Sequence, residues 1–287
     1  MDTAAFLHRI GLASHATSYA AGHVAPSVEG LSELHEAFVG TIPYESVQFQ
    51  FGQGGPMEPE AVAQRIIARE GGGYCFQLNG VLAHLLTSLG YDVTLHRGGV
   101  QTATRPAVVD ASHMVLTVEL DGETWLVDAG LGDGLLTPMP LQAGASAYQD
   151  PFTLTLRKSD LVDGWRLDHD PRAGLIGMDF ESASATFTDF EAQHQHLSLS
   201  PDSPFVRTCS AFLRRPGQMA ALRSVGLTQT YKDRIDNKII DSQPEYYEVL
   251  ADLFQLPLLH FTAADRDALW RRVWTQYENF LAAQPAV

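Results

Sequence analysis

Apolar residues recur with a helical period through the first third of the chain. Leu31, Leu34, His35 and Phe38 share one helix face, and Val62, Ile66 and Ile67 form a second stripe behind Pro59, a residue suited to a first helical turn. A third helix is predicted from Cys75. Its apolar positions Leu78, Val81, Leu82, Leu85, Leu86 and Leu89 follow the 3.6-residue period, and Gly90 stands where a left-handed residue would end it. From Tyr91 the pattern turns to strands. Residues 91–95, 114–120 and 123–127 read as three of them, the last two joined by Asp121-Gly122, a strong two-residue hairpin signal. Residues 152–156 and 164–167 continue the series. Ser200-Pro201-Asp202-Ser203-Pro204 marks a junction, after which 228–231 reads as a strand and 245–253 and 263–281 as helices. The pattern divides the chain into a helical part (1–90), a β-rich part with a barrel or small sandwich (91–200) and a mixed α/β part (201–287), an α+β protein.

Composition narrows the class. A chain of 287 residues, 45% hydrophobic and 18% charged, can bury a sizeable core and suits two or three compact units. Lysine and arginine number 19 against 34 acidic residues, a formal charge of −15. That balance argues against nucleic-acid or membrane-surface partners, which need broad positive surface. No run approaches the roughly 20 apolar residues that cross a bilayer. The first residues lack a basic segment ahead of an apolar run, and the two cysteines, Cys75 and Cys209, are far apart. The expectation is a cytoplasmic protein with reduced thiols.

Cys75 follows Gly71-Gly72-Gly73-Tyr74 and opens a predicted helix. Glycines allow a backbone to approach a substrate closely, and a helix N-terminus favours a thiolate through its dipole and free N–H groups. A cysteine nucleophile needs a base, and the base needs an orienting partner. The hairpin supplies both. With Asp121-Gly122 as a two-residue loop, Leu120 faces Glu123, Thr117 faces Leu126 and Val115 faces Asp128. His113, two residues from Val115, is then a diagonal neighbour of Asp128 at about 7–8 Å between Cα atoms, a gap that one hydrogen bond spans. Met114, Leu116, Val118, Leu120, Trp125 and Val127 make an apolar opposite face. The hairpin is therefore expected to bury that face and present His113 and Asp128 on the other.

Four stretches carry a family resemblance: Ile42-Pro43-Tyr44-Glu45, Gly72-Gly73-Tyr74-Cys75-Phe76-Gln77-Leu78-Asn79, His113-Met114-Val115-Leu116 and Leu126-Val127-Asp128-Ala129-Gly130-Leu131-Gly132. In order and spacing they resemble the arylamine N-acetyltransferases, and Leu85 to Thr94 and Ser203-Pro204-Phe205 extend the likeness over nearly the whole chain. The resemblance implies an N-terminal helical bundle, a central β-barrel and a C-terminal α/β lid, with a cysteine-protease-like Cys-His-Asp triad. It implies that Cys75 accepts the acyl group, with His113 as base and Asp128 as orienter. Gly73, Tyr74, Phe76 and Gln77 complete the motif around Cys75. Members usually carry Arg immediately before Gly-Gly-Tyr-Cys, paired with the Glu of the Pro-aromatic-Glu motif. Here that position is Gly71, so Arg69 is expected to reach Glu45, or the carboxylate finds another donor. Ser46 and Gln77 also replace the usual Asn and Glu.

The resemblance implies a ping-pong transfer of an acetyl or other acyl group from coenzyme A to an arylamine, hydrazine or similar amine. The co-substrate is acetyl-CoA or another acyl thioester, with no bound cofactor and no metal. An amide synthase that moves a longer acyl chain from an acyl carrier protein or CoA to an amine is the nearest alternative. A Cys-His-Asp thioester hydrolase is more distant, and a catalytically silent binding protein more distant still. Arg207, Arg214, Arg215, Arg223, Lys232 and Arg234 form a basic group unusual in so acidic a chain. Either it is a solvated face, or Arg214, Arg215 and Lys232 receive the phosphates of the donor. His194-Gln195-His196 reads as a solvated loop rather than a metal pair, His84 as a core histidine and Cys209 as an inert buried thiol.

Overall fold

The computed structural model describes residues 1–13 and 25–283. Its first part is helical: α1 (Thr3–Arg9), α2 (Val28–Thr41), α3 (Pro59–Arg69) and α4 (Cys75–Ser88). Local sequence sets their ends. Asp2 accepts the Ala5 N–H, Ser27 accepts the Gly30 N–H, and Pro59 occupies the first turn of α3. Gly90, at φ +91°, follows the last turn of α4 as expected. The apolar stripes of all four helices meet in one core through Phe6, Leu34, Phe38, Ile66 and Leu82.

Eight strands follow: β2 (Asp92–Gln101), β3 (His113–Leu120), β4 (Glu123–Val127), β5 (Met139–Pro140), β6 (Ser146–Gln149), β7 (Phe152–Lys158), β8 (Gly164–Asp168) and β9 (Gly177–Glu181). They form one antiparallel sheet in the order β5-β4-β3-β2-β9-β8-β7-β6. Met139 near one edge and Leu154 near the other share a core with Val115, Leu126, Leu167 and Phe180, so the sheet curls into a nearly closed barrel.

The β3–β4 hairpin has the expected register, with Leu120 opposite Glu123, Thr117 opposite Leu126 and Leu116 opposite Val127. Asp121 and Gly122 both take positive φ, as this two-residue loop requires. Its burial departs from expectation. Met114, Leu116, Val118 and Val127 pack against the helices as foreseen, but Val115 and Leu126 fill the barrel interior. Both faces of the hairpin are covered, because a strand between helices and a curled sheet has no open side.

The stretch after β9 is also helical, with a 3₁₀ turn (Phe187–Phe190), α5 (Glu191–Leu199) and α6 (Pro204–Arg207). The expected loop at His194 is thus a helix. A second antiparallel sheet comprises β10 (Ser210–Arg215), β11 (Gln218–Arg223), β12 (Gly226–Thr230) and β13 (Ile235–Ile239). The short β1 (Tyr44–Glu45), from the helical part, adds to its β10 edge. Helices α7 (Gln243–Glu248), prolonged by a π turn at Val249–Leu253, and α8 (Ala263–Ala282) pack on that sheet through Tyr246, Phe254, Leu269 and Val273. Of these four strands only β12 was legible in the pattern. Arginines and alanines are frequent in β10 and β11, and Asp236-Asn237-Lys238 fills the middle of β13, a composition that does not favour a strand without its neighbours.

Candidate active site

Cys75 is the first residue of α4, and the glycines before it fix its place. A Cβ on Gly72 would lie 1.9 Å from the Pro43 carbonyl oxygen, so only glycine lets this loop run against residues 43–45. The Gly73 N–H donates to Pro43 O at 3.3 Å, and the Glu45 N–H donates to Gly73 O at 2.8 Å. The loop that leads into Cys75 is in this way stitched to β1. Tyr74, the N-cap residue of α4, contributes no side-chain cap. The N–H groups of the first turn around Cys75 are left without the acceptor that Ser27 gives α2.

The hairpin brings in the other two residues. His113 Nε2 and Asp128 Oδ2 are 2.7 Å apart, both side chains almost wholly buried. Asp128 Oδ1 accepts from Asn79 Nδ2 at 2.9 Å and from the Gly130 N–H at 2.7 Å. Asn79 also donates to Met114 O and accepts the Ala129 N–H. From one helical turn beyond Cys75 it therefore ties the helix to both strands of the hairpin. Beneath Asp128, its own N–H points to His35 Nε2 at 3.3 Å, and His35 Nδ1 lies 2.9 Å from Leu136 O. That pattern assigns His35 a neutral ring protonated on Nδ1, in keeping with burial, which lowers its proton affinity.

Cys75 is 3% exposed, its Sγ lies 3.8 Å from Ser112 O, and its thiol acts on the neighbouring His113 ring. With Nε2 held by Asp128, Nδ1 is the ring nitrogen that the carboxylate does not engage. Burial works against a charge on His113, but the Asp128 carboxylate and the thiol outweigh it, and the group is pushed up to about 10. A Cβ on Gly130 would come within 2.8 Å of Cys75 Cα, so the Val-Asp-Ala-Gly turn passes directly against Cys75.

The thiol and the imidazole line a cleft of about 580 Å³, walled by Tyr44, Phe205, Phe212 and Leu131 with Arg105 and Arg223 among its lining residues. That volume suits a small-molecule site. Phe76, by contrast, is buried in the helical core against Tyr74 and Phe190.

The remaining motif residues act as supports. The Tyr74 hydroxyl is 2.5 Å from Nδ1 of His194, whose Nε2 is 3.1 Å from Gly55 O; the histidine expected in a solvated loop is buried. Gln77 accepts from Gln48 and Arg65 and donates to Pro56 O. Glu45 is buried, which raises its proton affinity; its Oε2 accepts the Val47 N–H, and its ion-pair partner among the described residues is Arg65, at 3.9 Å. Arg69, expected in that role, lies one helical turn further on and is exposed. His84 is half-exposed rather than a core residue, 3.9 Å from Glu60. Cys209 is the buried thiol expected, pushed up to about 12 by its surroundings.

The three basic residues expected to receive phosphate do not line the cleft. Arg214, 2% exposed, spends its guanidinium on the carbonyl oxygens of Gln149, Asp150, Gly134 and Arg215. It is a strut between the two sheets, and burial lowers its affinity for the proton to about 10. Arg215 donates to Gly40 O, and Lys232 stands 6.0 Å over the Tyr148 ring. Asn79 and Gly130 stood in the motif stretches with no role assigned, Arg223 belonged to the basic group, and His35 was read only as part of an apolar stripe. Asn79 carried a further signal, a polar residue one turn after Cys75 on a helix otherwise apolar at that spacing.

A family model described as N-acetyltransferase matches residues 27–262. Human arylamine N-acetyltransferase 1 is 27% identical over 90% of this chain and 95% of its own length. Among solved structures, the arylamine N-acetyltransferase of Nocardia farcinica superposes with a TM-score of 0.81 at 27% identity, covering 94% of this chain and 93% of that one. The Mycobacterium marinum arylamine N-acetyltransferase in complex with CoA shares the fold, with a TM-score of 0.82 at 22% identity over 95% and 98% of the two chains. Fold and family together make the protein a transferase. The chain belongs to the arylamine N-acetyltransferase family.

Proposed function

We propose that this protein transfers an acetyl group from coenzyme A to the nitrogen of an arylamine, hydrazine or similar amine, through an acyl-cysteine on Cys75. The observation that carries the reading is the meeting of three buried side chains from separate elements, Cys75, His113 and Asp128, where a cleft of small-molecule size opens. The choice of donor is supported by the CoA complex of a relative with the same fold.

His113 Nδ1 takes the Cys75 proton, and Asp128 stabilises the imidazolium that forms. The thiolate attacks the thioester carbonyl, and the uncapped N–H groups at the start of α4 hold the resulting oxyanion. Collapse of the tetrahedral intermediate breaks the carbon–sulfur bond to coenzyme A, whose thiolate leaves with the imidazolium proton. A neutral amine then attacks the acyl-cysteine while His113 accepts its proton. The second collapse forms the amide and returns Cys75 to its thiol with that proton. No redox step is involved.

Intact-mass spectrometry after brief mixing with acetyl-CoA tests this. Wild type should gain one acetyl group, Cys75→Ala none, and an aromatic amine should discharge the adduct. Acylation by a longer acyl thioester but not by acetyl-CoA would overturn the donor, and an adduct that persists in Cys75→Ala would overturn the nucleophile.

A further inference from the structure

The segment between β2 and β3, residues 102–112, ends beside the thiol, and its own side chains tie it down. Arg105 Nη2 lies 2.9 and 2.8 Å from the two carboxylate oxygens of Asp110 and 2.7 Å from Ser112 Oγ. Asp110 Oδ1 also accepts the Ser112 N–H at 3.2 Å, and the Asp110 carbonyl accepts from Gln193 of α5 at 3.0 Å. Between the two clasped residues, Ala111 takes φ +58°, a left-handed conformation that L side chains disfavour. The clasp therefore sets the direction of the Ser112 carbonyl. That carbonyl meets Cys75, whose Sγ donates to it at 3.8 Å.

Ser112 lines the cleft together with Cys75 and His113. Once the sulfur carries an acyl group, its S–H is gone and the carbonyl has lost that donor. The acyl carbon then stands one bond from Sγ, beside the negative end of the carbonyl dipole. An attacking primary amine brings two N–H groups. As the C–N bond forms, one proton passes to His113, and the other stays on nitrogen to become the amide N–H. The nitrogen gains positive charge during the attack, so the retained N–H is a charge-assisted donor. A thiol brings a single S–H and a secondary amine a single N–H, and in each case that proton goes to His113.

We propose that the main-chain carbonyl of Ser112 accepts the retained N–H of the attacking amine, and that Asp110 and Arg105 are the positioning residues that aim it. The proposal rests on the acyl-transfer reading above and adds a catalytic group to its amine half. A hydrogen bond to a group that becomes charged in the transition state is worth about tenfold to a hundredfold in rate. The carbonyl takes up no proton, so the proton balance stays with His113. Its oxygen is the negative end of the dipole and gives a thiolate no support, so it contributes nothing to the acylation of Cys75. The clasp thus serves one half of the reaction and not the other.

The test separates the two halves. Asp110 and Arg105 are partly exposed, so Asp110→Ala opens the clasp without stranding a buried charge. Pre-formed acetyl-enzyme of wild type, Asp110→Ala and Asp110→Asn is discharged in single turnover by 4-methoxyaniline, by its N-methyl derivative and by the thiol of coenzyme A, with the acetyl mass followed after quenching. Asp110→Ala should slow discharge by 4-methoxyaniline about tenfold, while acylation by acetyl-CoA and discharge by coenzyme A stay within about twofold. Asp110→Asn, which can still accept the Ser112 N–H, should keep most of the wild-type rate. Wild type should favour the primary amine over its N-methyl derivative by about tenfold or more, and Asp110→Ala should narrow that gap. Equal slowing with amine and thiol, slowed acylation, an unslowed primary amine, or equal wild-type rates for the two amines would each overturn the proposal. Absence of any acetyl-enzyme in wild type overturns the transfer reading and this proposal with it, whereas a normal acetyl-enzyme whose discharge ignores the clasp overturns this proposal alone.

Discussion

Asp128→Asn isolates the electrostatic role proposed for the Asp128 carboxylate with little change of shape. The wild-type carboxylate, with help from the thiol, lifts His113 from 6.5 to about 10 despite burial. That preference for the charged ring is worth on the order of 5 kcal/mol. An asparagine can still accept from Asn79 and Gly130 through Oδ1, so the local fold has its hydrogen bonds. Its Nδ2, however, would donate to His113 Nε2, which forces the imidazole proton onto Nδ1. The nitrogen that should take the Cys75 proton is then already protonated, and burial disfavours a second proton on the ring. We expect acylation of Cys75 to slow by roughly 10³- to 10⁴-fold, the scale seen when a triad's tautomer is reversed. Single-turnover acylation followed by quenched intact mass reads the rate directly, and iodoacetamide alkylation of Cys75 near neutral pH should slow in parallel. A variant with native circular dichroism that acylates within tenfold of wild type would refute the reasoning.

Three further outcomes follow from the same contacts. Because His113 binds its proton more tightly folded than unfolded, its stabilising contribution is complete below about 6.5 and is lost as pH rises through about 10; the urea midpoint should fall across that window in wild type, and a fall of the same size in Asp128→Asn would contradict this. Gly130→Ala places a methyl 2.8 Å from Cys75 Cα and 2.7 Å from Asn79 Nδ2, so it should cost about 1–3 kcal/mol and slow acylation, measured by thermal denaturation and intact mass. Arg65→Gln should destabilise by about 1–3 kcal/mol because it strands a buried carboxylate, while Arg69→Gln stays within about 0.5 kcal/mol; equal effects in urea titrations would show that Glu45 does not distinguish the two arginines.

Much of this protein was settled by neighbours along the chain. Helix periods, the proline at the start of α3 and the glycine after α4 act within a turn or two, and the Asp121-Gly122 loop fixes a register whose parity brings His113 to Asp128. Those features, with the Gly-Tyr-Cys, His and Val-Asp-x-Gly stretches, singled out Cys75, His113 and Asp128 from the sequence. Whatever depended on which surfaces meet was out of reach. Arg65 and Arg69 stand one turn apart on the same helix, and only the seating of α3 against β1 chooses the partner of Glu45. Arg214 and Arg223 looked alike in the sequence, yet one lies in the interface between the two sheets and the other stands exposed at the cleft. His35, a member of an apolar stripe, became the support of Asp128 because the loop beyond β4 folds back over α2. Periodicity tells which side chains share a face; what covers that face is decided by long-range packing, where burial and charge compensation are set.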